Sequence, residues 1–258
     1  MLAILLTGLL FCQDPGQQQG SGQTKESSSS EKSTTKTKEL ATWTDKLARE
    51  KVKAFAKALK PKKVSIAVRK RALDELVGGL NRQLIKPLQQ FIEKDSSIVL
   101  KRQAVEMLSE QPQDRARPAI LKLLKNARVT GNPQVQAALI KGLSRAGYTS
   151  KDYKAIADVL EDDYDTERVP AHEAVLDLVK EHAEKQAIPM LLRNIDEPMA
   201  KDVDAGDNPP AEYWKARWHS WAIWKGKVKE ALFAITGQKF STAKEARAWL
   251  RKNKGKLK

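Results

Sequence analysis

Two series of apolar helix patterns alternate along the chain, and their shared period of about 34 residues is the strongest constraint on its fold. From Glu39 onward, apolar residues recur three and four positions apart rather than two, which predicts helices throughout. One series carries an alanine ahead of its apolar residues, and successive alanines are 32, 34, 36 and 57 residues apart. These are Ala72, Ala104, Ala138, Ala174 and Ala231. The long last interval indicates an insertion in the final pair of helices.

A second series lies between these segments and is marked by proline ahead of a Leu-rich or Ile-rich stretch. Pro87 and Pro118 are 31 residues apart, and Pro118 and Pro189 are 71 apart, about two periods. The missing member is expected near Lys154, in a helix over Tyr153 to Leu160. We expect each proline in the first turn of its helix, where its missing amide hydrogen has no internal partner.

Two alternating helix series predict a stack of antiparallel helix pairs, because each pair buries its apolar stripe only when a neighbour covers it. The predicted fold class is therefore all-α, an α-solenoid. Val68-Arg69-Lys70-Arg71-Ala72 and Leu100-Lys101-Arg102-Gln103-Ala104 resemble the second helix of HEAT repeats of the short bacterial type. The resemblance runs from about Val64 to Gly237 and implies HEAT-like helix pairs.

The C-terminal sequence is similar to the ending of many exported bacterial HEAT-repeat proteins. Ile235-Thr-Gly-Gln238 is followed by a short segment that contains Trp249. This resemblance implies a C-terminal capping helix, with Phe240 and Trp249 folded back on the last helices.

The N-terminal region divides into an apolar segment and a polar linker. Met1 to Cys12 is uncharged and has the length of the apolar part of a signal peptide, which predicts export. Cys12 follows Leu9-Leu10-Phe11 and resembles the acylated cysteine of bacterial lipoproteins, although Phe11 is larger than that family prefers. Residues 13–38 are rich in Gln, Ser and Lys, lack large apolar side chains and predict a disordered linker before a repeat domain over 39–258.

The residues that usually carry catalysis or bind metals form no recognisable pattern. Three histidines and one cysteine exclude a Cys/His zinc framework. His172 and His182 are ten residues apart, too far to share one metal. A calcium-loop-like start at Asp202 is incomplete, because its twelfth position is Tyr213. We therefore expect no cofactor, no metal and no enzymatic activity.

Positive charge is concentrated near the C-terminus. The whole chain carries 47 Lys and Arg against 32 Asp and Glu, while residues 213–258 carry 13 against two. Trp214, Trp218, Trp221 and Trp224 fall on one side of a predicted helix in this region. The stripe either packs on the previous repeat, which we favour, or forms a binding surface for bases, sugars or lipid headgroups.

The sequence favours a non-enzymatic interaction scaffold of the bacterial cell envelope that binds a protein or an acidic polymer. The expected binding residues lie on the second helices of the pairs and in the C-terminal basic region. They are Arg69, Arg71, Lys101, Arg102, Lys141, Trp214, Trp218, Lys225 and Lys229. The alternative is a basic nucleic-acid-binding protein similar to the HEAT-like DNA-alkylation glycosylases, which export disfavours. We expect a periplasmic or membrane-anchored monomer, tethered through its N-terminus if Cys12 is lipidated.

Overall fold

The computed structural model describes residues 39–61, 63–160, 165–200, 206–253 and 255. The predicted signal segment and linker lie outside these residues. The α-helices are α1 (Asp45–Ala58), α2 (Ile66–Asp74), α3 (Ile85–Lys94), α4 (Ile98–Ser109), α5 (Gln113–Leu124), α6 (Ala127–Thr130), α7 (Pro133–Arg145), α8 (Val169–Glu181), α9 (Ile188–Asn194), α10 (Ala211–Thr236) and α11 (Ala243–Lys252). Short 3₁₀ helices cover Arg82–Leu84, Ser150–Ala155, Ala157–Leu160, Thr166–Arg168 and Lys185–Ala187.

The helices of the repeat domain form two layers. Helices α4, α7, α8 and α10 pack side by side in one layer, in that order. Helices α3 and α5, the 3₁₀ turns between residues 150 and 160, and α9 form the other layer. The predicted all-α solenoid of HEAT-like helix pairs is confirmed.

Small residues set the spacing between neighbouring second helices. Ala104, Ala174 and Ala231 are buried, whereas Ala138 is half-buried at the edge of the core. A Cβ atom added to Gly142 of α7 would lie 3.3 Å from Val105 Cγ1 of α4. Close contact between these helices therefore depends on the small side chains that marked the repeat in the sequence.

Two of the three prolines lie in the first turn of their helices, as predicted, and one lies deeper. Pro118 is the sixth residue of α5, so the first-turn prediction is wrong there. Pro87 is the third residue of α3, and Pro189 lies in the first turn of α9. In these two repeats a 3₁₀ turn precedes the α-helix, over Arg82–Leu84 and Lys185–Ala187. In both repeats the helical segment therefore begins as a 3₁₀ turn, about one turn before the proline. The proline then lies in the first turn of the α-helix that follows.

The predicted helix over Tyr153 to Leu160 is also wrong in type. This stretch is built from 3₁₀ turns and contains no α-helix. It begins after a reciprocal capping box formed by Thr149 and Asp152. The buried side chains of Tyr153 and Ile156 still occupy the position of the first helix of this helix pair. The repeat therefore keeps its contacts with the hydrophobic core.

Salt bridges between arginine and aspartate side chains connect successive repeats. Arg69 Nη1 and Asp95 Oδ2 are 2.8 Å apart, and Arg82 Nη2 and Asp114 Oδ2 are 3.0 Å apart. Arg117 binds Asp152 through two nitrogens, with Nε–Oδ2 at 2.8 Å and Nη2–Oδ1 at 3.0 Å. These pairs span 26, 32 and 35 residues of sequence, about one repeat. The same spacing that aligns the helices therefore also aligns their charges.

A short strand pair, which the sequence pattern did not predict, joins the start of the domain to the first repeat. Strand β1 (Ala41–Thr42) pairs in parallel with β2 (Gly79–Leu80). The Trp43 ring lies against Gly79, where an added Cβ would come within 2.6 Å of the ring. Only glycine leaves room for this contact.

Helix α11 closes the C-terminal end of the domain, as the resemblance implied. Gly237 ends α10 with φ of 71°, a left-handed conformation that favours glycine. The Phe240 and Trp249 rings pack with their centroids 5.8 Å apart. The amide of Ala243 donates to Asp196 Oδ1 at 3.0 Å, which fixes α11 beside α9.

Candidate functional site

A groove of about 440 Å³ lies along the second-helix layer, between α4, α7 and α8. Exposed, half-buried and buried residues of these three helices line it. They are Arg102, Glu106, Ser109, Gln134, Ala137, Ala138, Lys141, Gly142, Arg145, Pro170 and Glu173. Gly142 and the two alanines form its floor and let the backbones of α4 and α7 approach closely.

Three cations line this groove on α4 and α7. Arg102, Lys141 and Arg145 are all exposed. Arg102 Nη1 lies 3.5 Å from Gln134 Oε1, the outer limit of a hydrogen bond. Across the part of the chain that the structure describes, none of the three forms an ion pair. The three cations are therefore open to the groove, and Arg145 also attracts the nearby carboxylate of Glu110.

One lysine of the next repeat bridges two acidic side chains of α8. Lys227 of α10 lies 2.7 Å from Asp177 Oδ1 and 3.6 Å from Glu173 Oε1. Partial burial alone would lower the pKa of Lys227, but the two carboxylates outweigh it and raise that pKa above its ordinary value. The charged residues that line the groove are thus three cations, Glu106, and Glu173, whose charge Lys227 partly balances.

The predicted second-helix residues fall into two groups. Arg102 and Lys141 line the groove together. Arg69 does not, because its guanidinium binds Asp95 and Ser96 and joins two repeats. Arg71 is exposed on α2 and Lys101 is half-exposed on α4, and neither lines the groove.

Sequence reasoning missed Arg145. It lies four residues after Lys141, so both occupy the same face of α7. That helical spacing was visible in the sequence, but Arg145 falls after the apolar segment used to define the repeat.

The tryptophan stripe on α10 divides between core and surface. Trp221 and Trp224 are buried, and the Trp221 indole donates to the Asn194 carbonyl at 3.1 Å. Trp214 is half-exposed, and the Trp218 ring is exposed while its N–H donates to Glu197. The core interpretation therefore holds for two of the four indoles.

The two predicted lysines of α10 lie on its outer face. The ammonium of Lys225 lies 4.6 Å from the centre of the Trp221 ring, and Lys229 is exposed one turn later. Both are on a different surface from the groove cations, so the predicted binding set does not form one site.

The histidines do not form a chelating group. His172 is buried and its ring centroid lies 6.4 Å from that of Trp224, while His182 Nε2 lies 2.7 Å from Ser144 Oγ. Within the described residues, no three Cys, His, Asp or Glu side chains are grouped so that they could hold a metal ion. The acidic segment starting at Asp202 lies mostly outside the described residues.

No described helix is both long enough and apolar enough to cross a membrane.

Comparison with known proteins gives one match. Residues 85–176 match the family model for HEAT repeats, a stretch that begins with α3 and ends within α8. No curated protein and no solved structure matches the chain. The matched stretch contains most of the groove and has the two-layer arrangement that the sequence predicted. Residues 85–176 are therefore a region of HEAT repeats.

Proposed function

We propose that this protein is a non-enzymatic scaffold that holds an acidic segment of a partner protein in the groove between α4, α7 and α8. HEAT repeats generally serve as protein-interaction scaffolds, and solenoids bind along extended surfaces that successive repeats share. The observation that carries the proposal is the cluster of Arg102, Lys141 and Arg145, which face the groove without ion pairs among the described residues.

The mixed lining of the groove favours a protein segment over a nucleic acid. Glu106 and Glu173 stand among the three cations. A phosphate backbone carries a regular row of negative charges and is best matched by a continuous basic surface. A peptide can place a carboxylate beside each cation and a neutral or basic side chain beside each acid, so it fits this alternation better.

We further propose that the scaffold acts in the bacterial cell envelope. This rests on the apolar segment Met1 to Cys12 and the polar linker over 13–38. A linker of that length and composition has an end-to-end distance of roughly 28 Å as a random coil. That reach would allow a tethered repeat domain to meet partners beyond the surface of a membrane.

In-cell photo-crosslinking tests the groove. A photoreactive amino acid replaces Gln134, which lines the groove, or Lys122, an exposed residue of α5 in the other layer. We expect crosslinks to an acidic protein segment from position 134 and not from 122. Charge reversal at Lys141 and Arg145 should abolish the crosslink. A crosslink that persists after charge reversal, or that forms equally from position 122, would contradict the proposal.

A further inference from the structure

The outer face of α10 combines exposed apolar side chains with lysines. Trp218, Ile223 and Phe233 are 42%, 57% and 45% exposed, unusually high values for side chains of this size. They are spread along a helix of 26 residues, so the surface extends over most of its length.

Lysines lie between these apolar side chains on the same face. Lys215, Lys225 and Lys229 are exposed, and at 100° per residue they share with Trp218, Ile223 and Phe233 about 160° of the helix circumference. Glu212 and Glu230 of α10 share this arc, and Glu230 is paired with Lys180, with Nζ and Oε2 2.7 Å apart, so the three lysines still outnumber the carboxylates of α10 here. The exposed face is therefore both apolar and cationic.

The opposite side of α10 is fixed in the core. Trp224, Val228 and Leu232 are buried against the preceding repeat. Trp218 is oriented by the hydrogen bond from its indole to Glu197. The helix cannot rotate to hide its exposed apolar residues, so the folded domain presents them permanently to solvent.

We propose that this face of α10 lies on the headgroup region of a bilayer that contains anionic phospholipids. A surface that carries tryptophan, aliphatic side chains and lysine together can place its apolar groups below the headgroups while the long lysine side chains keep their ammonium groups among them. The lysines match the charge of anionic headgroups, while Trp218, Ile223 and Phe233 enter the boundary with the acyl chains. Nucleic acid fits less well, because Ile223 offers no ring for a base to stack on.

No residue of this face lines the groove of α4, α7 and α8, so either proposal can fail without the other. The membrane contact would orient the repeat domain on the bilayer.

Vesicle flotation of the full chain tests the inference. The probes are vesicles of phosphatidylcholine alone and vesicles in which part of it is replaced by phosphatidylglycerol. Each lysine near an anionic surface contributes about fivefold to the partition constant, so Lys225→Gln with Lys229→Gln should lower binding to the mixed vesicles by about 25-fold. Ile223→Ser with Phe233→Ser should weaken binding to both kinds of vesicle, because apolar burial does not depend on headgroup charge.

The matched control is Lys122→Gln with Lys125→Gln, which removes the same charge from two exposed lysines of the other layer. This variant keeps the same N-terminal segment and should bind like the wild type. Equal loss in the control, or unchanged binding in both α10 variants, would overturn the proposal. A wild-type chain that binds an oligonucleotide duplex through the α10 lysines and ignores the mixed vesicles would also overturn it.

Discussion

Replacement of Asp152 by Asn should destabilise the domain far more than the same change at Asp114. Both aspartates accept from an arginine one repeat away, but Asp152 is 5% exposed and Asp114 is 53% exposed. Oδ2 of Asp152 also accepts from the amide and the hydroxyl of Thr149, at 2.9 and 3.0 Å. Asparagine has the same shape but offers one acceptor oxygen, so its NH₂ group must face a donor of Arg117 or Thr149.

The expected loss of stability depends on how deeply each aspartate is buried. Loss of charge and of an acceptor in a buried ion pair should lower the free energy of unfolding by about 2 to 3 kcal/mol at position 152. An exposed pair such as that of Asp114 contributes less than about 1 kcal/mol. Urea unfolding near neutral pH, followed by far-ultraviolet circular dichroism, measures both. Equal costs within about 0.5 kcal/mol would refute the claim that the Asp152 pair joins the repeats energetically.

Acid titration provides a second readout of the same pair. Burial alone would raise the pKa of Asp152, but the hydrogen bonds from Arg117 and Thr149 outweigh it and hold that pKa below its ordinary value. A carboxyl with a lowered folded pKa stabilises fully above its unfolded pKa of about 3.9, and this contribution is lost as pH falls through the folded value. The difference between the wild type and Asp152→Asn should therefore shrink below about pH 4. A difference that does not change with pH would contradict this assignment.

Three further predictions concern other parts of the chain. Gly79→Ala should destabilise by about 1 to 3 kcal/mol because its Cβ would meet the Trp43 ring, whereas Gly226→Ala, with open space at its Cβ, should stabilise by up to about 1 kcal/mol in the same urea assay. Lys227→Met should lower the free energy of unfolding by about 1 kcal/mol. Because the folded pKa of Lys227 is raised, its contribution is present below the unfolded pKa of about 10.4 and is lost as pH rises through the folded value, so the two proteins should converge in alkaline urea titrations. Intact-mass analysis of fractionated cells should find an envelope species without the Met1–Cys12 segment, or beginning with a lipidated cysteine, and an unprocessed cytoplasmic chain would contradict export.

The repeat architecture could be predicted because it rests on apolar spacing, which is a local property of the sequence. The alanine series was useful for this reason, since Ala104, Ala174 and Ala231 are all buried between helices. The prediction failed at Pro118 because helix boundaries depend on whether the preceding turn is α or 3₁₀. A 3₁₀ turn comes before the α-helices of Pro87 and Pro189, whereas α5 itself begins five residues before Pro118. Side-chain periodicity alone does not distinguish the two.

The candidate site was only partly predictable, because it depends on which exposed charges have partners. Arg69 and Arg102 have similar sequence surroundings, but Asp95 is positioned to bind only the first of them. The division of the tryptophan stripe has the same origin. All four indoles share one side of α10, but α8 and α9 cover only the part of that helix that contains Trp221 and Trp224. Such contacts are set by neighbouring repeats and cannot be derived from one helix pattern.

The most direct test of the groove is an equilibrium binding measurement with the acidic segment identified by crosslinking, prepared as a synthetic peptide. The test variant replaces Arg102, Lys141 and Arg145 by Glu, and the control replaces the exposed Lys86, Lys122 and Lys125 of the other layer by Glu. Each exposed ion pair between a groove cation and the peptide should contribute about 0.5 to 1 kcal/mol to the binding free energy. Loss of three such pairs should make the groove variant bind about ten- to a hundredfold more weakly than wild type. The control should retain its affinity to within about threefold. Equal weakening in both variants, or full affinity in the groove variant, would contradict a binding site between α4, α7 and α8.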